Sequence, residues 1–221
     1  YRYDYATEYV QVMQDLWDTG VSNLQGKHFQ MDDCQMQPRP SAPIEIVAAG
    51  MSDRGLEFSS TFTNYSFMNG VGVNTPAAFK PGCDRLMAAA AKTGRDVGAY
   101  ILMMVIAEDT DEAAMAKWQS YLDGADTEAL GYMGVQGSAD TSAGASSTAK
   151  TQAMPAGAIN FNMGTIVGSF ESCARMLDEA AAVPGVKGLM LTFDDFLVGL
   201  DTFGQNIQPL MACRQNISVA A

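Results

Sequence analysis

Ile44-Glu45-Ile46-Val47-Ala48-Ala49-Gly50-Met51-Ser52-Asp53-Arg54-Gly55 passes from an apolar run, through a glycine, to a hydroxyl residue that opens a helix. The run Ile44–Ala49 is short and almost free of charge, which predicts a strand covered on both faces. Residues 52–63 predict a helix with Ser52 or Asp53 at its N-cap. Strand, glycine turn and helix together make the start of a βα unit. The same arrangement offers a place for an anion, because the first N–H groups of a helix have no intrahelical partner. The Ser52 hydroxyl stands beside those groups, and Gly50 lets a ligand come close to the backbone. Capping alone also explains a serine at this position, so the structural and the ligand-binding readings stand side by side.

The pattern repeats along the chain. Tyr65 to Met68 predicts a short strand, and Phe79, Cys83, Leu86, Met87 and Ala90 lie on one helical face closed by Gly94. Tyr100 to Ala107 is an apolar strand, after which Asp109 and Glu112 resemble a capping box for a helix carrying Met115, Trp118 and Leu122. Gly164-Thr165-Ile166-Val167-Gly168-Ser169 is read as a second capped helix start and is not counted among the strands; its helix bears Cys173, Met176, Leu177 and Ala180. Gly188 to Phe193 is a further strand, running into Asp194-Asp195, two acids that either cap the next turn or orient a ligand. A last helix with Phe203, Ile207, Leu210 and Met211 is expected to bend near Pro209. Upstream, Tyr5, Tyr9, Val12, Met13 and Leu16 mark one face of a helix that Gly20 ends.

This is an α/β chain with four strand–helix units. Four parallel strands are half of a (β/α)8 barrel, which takes about 250 residues, and by themselves they leave open edges and an unfilled interior. The leading helix has no strand before it. The expectation is one domain over residues 1–221 that forms the C-terminal half of a (β/α)8 TIM barrel, with the N-terminal half absent. A small complete doubly wound domain is the competing architecture. In residues 134–158, Gly, Ala, Ser and Thr make up 18 of 25 positions, too few large apolar groups for a core. That segment is read as a flexible loop insertion or a lid.

Composition narrows the function. The chain has 221 residues, 48% of them apolar, and 13 Lys+Arg against 25 Asp+Glu give a net charge of −12. Nucleic acids and anionic membranes call for a basic face, so neither is an expected partner. No apolar run approaches the ~18 residues that span a bilayer. Cys34, Cys83, Cys173 and Cys213 stand far apart with no C-x-x-C pair, which fits a reducing cytoplasm better than a disulfide scaffold or a zinc ribbon. There is no G-x-x-x-x-G-K-[ST] loop. The single histidine, His28, rules out a multi-His metal centre within these residues, and no metal is expected. Chemistry performed here would come largely from an external cofactor.

One resemblance runs through nearly the whole chain. Arg2-Tyr3-Asp4-Tyr5, Glu8-Tyr9-Val10, Leu16-Trp17 and Ala49-Gly50-Met51-Ser52-Asp53 resemble the bacterial luciferase-like flavin monooxygenases. Gly72-Val73-Asn74-Thr75-Pro76, Thr93-Gly94-Arg95-Asp96-Val97-Gly98, Asn162-Met163-Gly164-Thr165, Ala174-Arg175-Met176-Leu177-Asp178-Glu179 and Leu191-Thr192-Phe193-Asp194-Asp195-Phe196 narrow it to the pyrimidine (uracil) monooxygenases of the Rut pathway. The resemblance implies a TIM-barrel enzyme that uses O2 and reduced FMN, the latter supplied by a separate flavin reductase. It implies opening of the uracil or thymine ring between N3 and C4 to give a ureidoacrylate peracid. It carries over three FMN-contacting positions: Arg2, Tyr3 and Ser52. A guanidinium fork with hydroxyls around a phosphate suits those residue types. Catalytic residues are not assigned, since the family's substrate-facing groups belong to the half that is missing, and the fragment alone is expected to be inactive. Whether chains pair into a homo-oligomer stays open. Two other readings are carried forward: a sister luciferase-like monooxygenase acting on another small molecule, and a non-catalytic half-barrel that binds a phosphorylated ligand.

Overall fold

The computed structural model describes residues 2–137, 159–160 and 163–215. Helix α1 (Arg2–Asp18) opens the chain and stops where Gly20 takes a φ of 84°. Its Val10 and Val12 are buried, while Tyr5 and Tyr9, expected on the packed face, are about half exposed and rest against the Phe29 ring. Two-residue strands β1 (Val21–Ser22) and β2 (Cys34–Gln35) then pair antiparallel. Glu8 pins this hairpin to α1 by accepting the N–H groups of Lys27, His28 and Phe29 at 2.9, 2.7 and 3.0 Å.

The βα units follow. In order they are β3 (Val47–Ala49), α2 (Asp53–Phe62), β4 (Tyr65–Asn69), α3 (Lys80–Thr93) and β5 (Gly98–Glu108). Then come α4 (Asp111–Asp123), α5 (Thr127–Gly137), β6 (Gly164–Ser169), α6 (Phe170–Ala181), β7 (Val186–Phe193) and α7 (Phe196–Thr202). The parallel sheet therefore has five strands, where the sequence reading counted four strand–helix units. The addition is β6, whose short core Thr165–Val167 lies between glycines and looks from sequence like a helix start. Residues 134–137 form the last turn of α5, with Asp126 accepting the Ala129 N–H at its start, so the loop expected from 134 begins no earlier than 138. The rest of that segment lies outside the described residues. Thr110, not Asp109, is the N-cap of α4. Beyond α7 the chain widens into a π turn (Phe203–Ile207) before Pro209, which can neither donate an N–H nor sit in a regular helix interior.

Strands β3, β4, β5 and β7 are neighbours in chain order, and β6 stands apart from that sequence. Along β5, residues 98–102 pair with β4 and residues 103–108 with β6, while 99–105 pair with β7. Thus β4 and β6 share one edge of β5, and β7 holds the other. Handedness then places the helices. Steps from β3 to β4, to β5 and from β6 to β7 run one way across the sheet, so right-handed crossovers put α2, α3 and α6 on one face. The step from β5 back to β6 runs the other way and must cross on the opposite face, where α4 lies. The packing agrees: Ala99, Ile101, Met103 and Val105 are buried with Cys83, Leu86, Cys173 and Leu177 of α3 and α6. Ile106 and Val167 are buried instead with Ala114 and Trp118 of α4. Below α4 that second face is only partly covered. The register aligns Ala49, Phe67, Tyr100 and Gly188 in one row and Asn69, Leu102 and Met190 in the next. Val47 is 47% exposed and Met190 43%. A doubly wound sheet would bury such rows under helices.

The shared edge of β5 forms a fork. Gly70 N–H donates the last β4-side bond to Leu102 O (2.8 Å), and the chain then leaves β5 so that β6 can enter. Gly164 N–H donates to Gly70 O (2.9 Å), and Thr165 N–H to Gly72 O (2.8 Å). Asn74, at φ 52°, extends the ladder with its side chain: Nδ2 donates to Val167 O (2.9 Å) and Oδ1 accepts the Val167 N–H (2.7 Å). A Cβ on Gly164 would stand 2.6 Å from the Gly70 Cα, so β6 tolerates no side chain at the crotch, and one at Gly70 would press on Met103 and the Leu102 carbonyl at 3.1 and 3.2 Å. Gly164→Ala should cost about 1–3 kcal/mol of stability by overpacking. Asn74→Ala should cost about 1–3 kcal/mol by leaving the Val167 backbone without partners. Both are read as lower urea midpoints with an unchanged denaturant slope.

Candidate functional site

At the C-terminal end of β3 the chain turns through Gly50 and Met51 into α2. Ser52 is the N-cap, in extended conformation, and its Oγ accepts the Gly55 N–H at 3.1 Å. That use occupies an acceptor site of the hydroxyl and leaves its proton to donate. The first turn of α1 stands over this corner. The Tyr3 ring packs on Phe58 of α2 with centroids 5.8 Å apart. The Tyr3 hydroxyl lies where a side chain at Gly50 would be, and a Cβ on Gly55 would come within 2.6 Å of it. The phenol thus fills the space a side chain at Gly50 would need, while a side chain at Gly55 would also run into the Gly50 carbonyl, with the oxygen 2.7 Å away. Asp4 and Arg54 join the two helices by an ion pair of 2.6 Å, and Arg85 meets Asp53 at 2.8 Å, offsetting the one carboxylate in the first turn of α2. Arg2 precedes Tyr3 at the head of α1 and is exposed. The corner therefore combines a helix start and two hydroxyls, a donor set matched to an oxyanion such as a phosphate, and Arg2 adjoins it in sequence through Tyr3.

The other two helix starts singled out in the sequence are filled from within the chain. At α6, Ser169 caps by accepting the Ser172 N–H at 3.2 Å. Asp111 of α4 occupies the same place, accepting the Ser169 N–H at 2.6 Å and the Ser172 hydroxyl at 3.1 Å. The backbone N–H of Ser169, helped by the Ser172 hydroxyl, holds the Asp111 carboxyl below its ordinary range. At α7, Asp195 is the N-cap and accepts the N–H groups of Leu197 and Val198, both at 3.0 Å. Of the three, the start of α2 is the one with no acid in the anion's place among the described residues.

Asp194 does something else. Its Oδ2 accepts the Tyr121 hydroxyl at 2.6 Å and pairs with Lys117 Nζ at 2.9 Å. Lys117 also pairs with Glu108 at 2.8 Å. These groups come from α4 and from the C-terminal ends of β5 and β7. Burial works to raise the Asp194 carboxyl, but the bonds from Tyr121 and Lys117 outweigh it and hold the carboxyl low. Burial likewise disfavours the Lys117 ammonium, yet Glu108 and Asp194 hold its pKa above the usual value. Sequence reading flagged Asp194 but missed Lys117 and Tyr121, which show no signal beyond a helix pattern.

Asp111 and Asp194 are both depressed in the folded chain, so their contribution is present above the unfolded carboxyl value of about 3.9 and is lost as pH falls through the folded values. Urea midpoints should therefore drop below about pH 4. Asp111→Asn should lower stability at neutral pH and flatten that acid limb; an unaltered limb would refute the assignment.

Comparison with known proteins gives the class of the protein. The sequence pattern of the family described as Luciferase-like monooxygenase matches residues 1–187. The chain belongs to that family. Within it, the chain is similar to the Pyrimidine monooxygenase RutA of Bradyrhizobium sp. strain BTAi1, 62% identical over 97% of this chain and 59% of the relative. The Pyrimidine monooxygenase RutA of Enterobacter cloacae is 57% identical over 98% of this chain and 60% of the relative. The chain spans about three-fifths of the length of these proteins. Two solved structures share the fold. The Riboflavin Lyase (RcaE) aligns with a TM-score of 0.79 at 18% identity, over 98% of this chain and 58% of that one. The long-chain alkane monooxygenase (LadA) aligns at 0.77 and 23%, over 99% and 58%.

Proposed function

We propose that this chain supplies the C-terminal half of the TIM barrel of an FMN-dependent pyrimidine monooxygenase, with Arg2, Tyr3 and Ser52 holding the FMN phosphate. The observation that carries the reading is the start of α2, filled by no acid among the described residues and overhung by the Tyr3 hydroxyl. The half-barrel reading draws support from the partly exposed inner rows of the sheet. Further support comes from β3 and β7, each paired along one edge only among the described residues. The apolar patch on α7, where Leu197 is 81% exposed, is the kind of surface that further chain covers. Similarity to the RutA proteins over 97–98% of this chain favours a pyrimidine as substrate.

Reduced FMN would supply the activation of O2, and a separate flavin reductase would deliver it. In this reading the ring of uracil or thymine opens between N3 and C4 to a ureidoacrylate peracid. The residues of this chain bind and orient. The Ser52 and Tyr3 hydroxyls and the first N–H groups of α2 donate to phosphate oxygens, and Arg2 adds a charge-assisted contact. The inner rows, Phe67, Tyr100 and Leu102 among them, keep water from the ring system. With only this part of the barrel, the chain supplies part of the flavin site and does not turn over substrate. The net charge of −12 gives no support to a nucleic-acid partner. Among the described residues no helix is long and apolar enough to cross a membrane, in keeping with the cytoplasmic site proposed.

In a polypeptide completed to the length of the relatives, Arg2→Ala and Ser52→Ala should each weaken FMN binding by about 1–3 kcal/mol, roughly 5- to 150-fold in Kd. Unchanged FMN affinity in both would refute the phosphate assignment. Uracil loss with FMN, NADH and a reductase tests the reaction, and a panel of other small molecules separates a sister monooxygenase. The chain's three-fifths coverage of its relatives keeps one rival in view, a binding-only half-barrel. Tight FMN binding by the isolated 221 residues would favour it.

A further inference from the structure

We propose that Asp194 is a positioning residue: through Lys117 and Tyr121 it fixes α4 across the C-terminal end of the sheet, so that α4 forms a wall of the ligand pocket. The pocket is the one proposed above, and the inference rests on that reading for the ligand but not for the tether. The topology makes α4 unusual. It crosses on the face opposite α2, α3 and α6, because β6 lies on the β4 side of β5. Its apolar contacts, through Ala114, Trp118 and Leu122, reach Met104 and Ile106 of β5 and Val167 of β6. These hold one flank of the helix. The other flank reaches the end of β7 through side chains that meet at Asp194, namely Lys117 at 2.9 Å and Tyr121 at 2.6 Å.

The geometry separates this from an ordinary surface ion pair. The Asp194 side chain is only 14% exposed, while Lys117 is 34% exposed and is also held by Glu108. Two donors converge on one carboxylate oxygen, which fixes the direction of α4 as well as its distance. The cluster sits on the same rim of the sheet as the Gly50–Ser52 corner, since Asp194 follows β7 and Gly50 follows β3. Ligands of parallel α/β sheets bind at that end of the strands. Removing the Asp194 charge leaves Lys117 paired with Glu108, so the fold survives while α4 loses its hold on β7.

The chain has two tryptophans, Trp17 and Trp118, and Trp118 is buried under α4. In a Trp17→Phe background, acrylamide quenching of Trp118 reads the seating of α4 directly. Asp194→Asn should raise the quenching constant about 3-fold and weaken FMN binding by about 10-fold, the loss expected from a charged hydrogen bond. Lys117→Met should act in the same direction, and Tyr121→Phe more weakly. Ser52→Ala should weaken FMN binding and leave Trp118 quenching unchanged. Unchanged quenching in both Asp194→Asn and Lys117→Met overturns the tether. Raised quenching with unaltered FMN affinity overturns the wall. FMN affinity is read in the polypeptide completed to the length of the relatives: if that parent has none, the flavin reading fails, while the quenching series on the 221-residue chain still decides the role of Asp194. Far-UV circular dichroism and a cooperative melt confirm that each variant is folded.

Discussion

The edge of β5 that is handed from β4 to β6 is the constraint on which the rest depends. A strand has two edges, and β5 must serve three neighbours. It does so by releasing β4 at Gly70 and accepting β6 at Gly164, with no room for a side chain between them. The Asn74 amide completes the handover by imitating a backbone pair with Val167. Once β6 is on that side, the handedness of parallel crossovers sends α4 to the opposite face from its sister helices. The roof over one end of the sheet is therefore a consequence of strand order, and side chains such as Lys117 and Tyr121 only refine its seat.

Charge is distributed along the rim with the same economy. Three of the helix starts at the C-terminal ends of strands are answered by the chain in different ways. Asp111 fills that of α6, Asp195 fills that of α7, and at α2 a serine caps while a tyrosine from the first turn of α1 stands above. Arg85 draws Asp53 aside, so the one acid in the first turn of α2 does not compete for the corner. Tying α1 to α2 through Tyr3–Phe58 and Asp4–Arg54 makes the corner a product of residues some fifty positions apart.

Much of this was legible in the residues. The strands at 47–49, 65–69, 98–108 and 186–193 announce themselves by apolar runs, and Ser52, Ser169 and Gly94 behave as caps. Strand β6 was not legible, because Thr165–Val167 is too short a run and its flanking glycines and Ser169 carry the signal of a helix start. Helix α5 was obscured by the compositional bias that begins at 134. The α1 pattern promised a buried tyrosine face, yet Tyr5 and Tyr9 are about half exposed, resting on Phe29 and, for Tyr5, on His28. At the site, a glycine and a serine at a strand end could be seen in sequence. The crowding at 50 and 55 could not, since it arises from a phenol placed by tertiary packing and, at 55, from the folded-back Gly50 carbonyl. Lys117 was invisible for the same reason: a lysine on a helix pattern reads as solvated until its partners on two strands are known.

The carboxylate of Asp111 has a wider implication. By seating itself at the head of α6 it behaves as a built-in ligand, tethered beside the N–H and hydroxyl that it occupies. The chain thereby decides where along its rim an incoming anion can settle, and it does so by exclusion. Selectivity among chemically equivalent pockets is written in which of them the polypeptide has already plugged with one of its own acids.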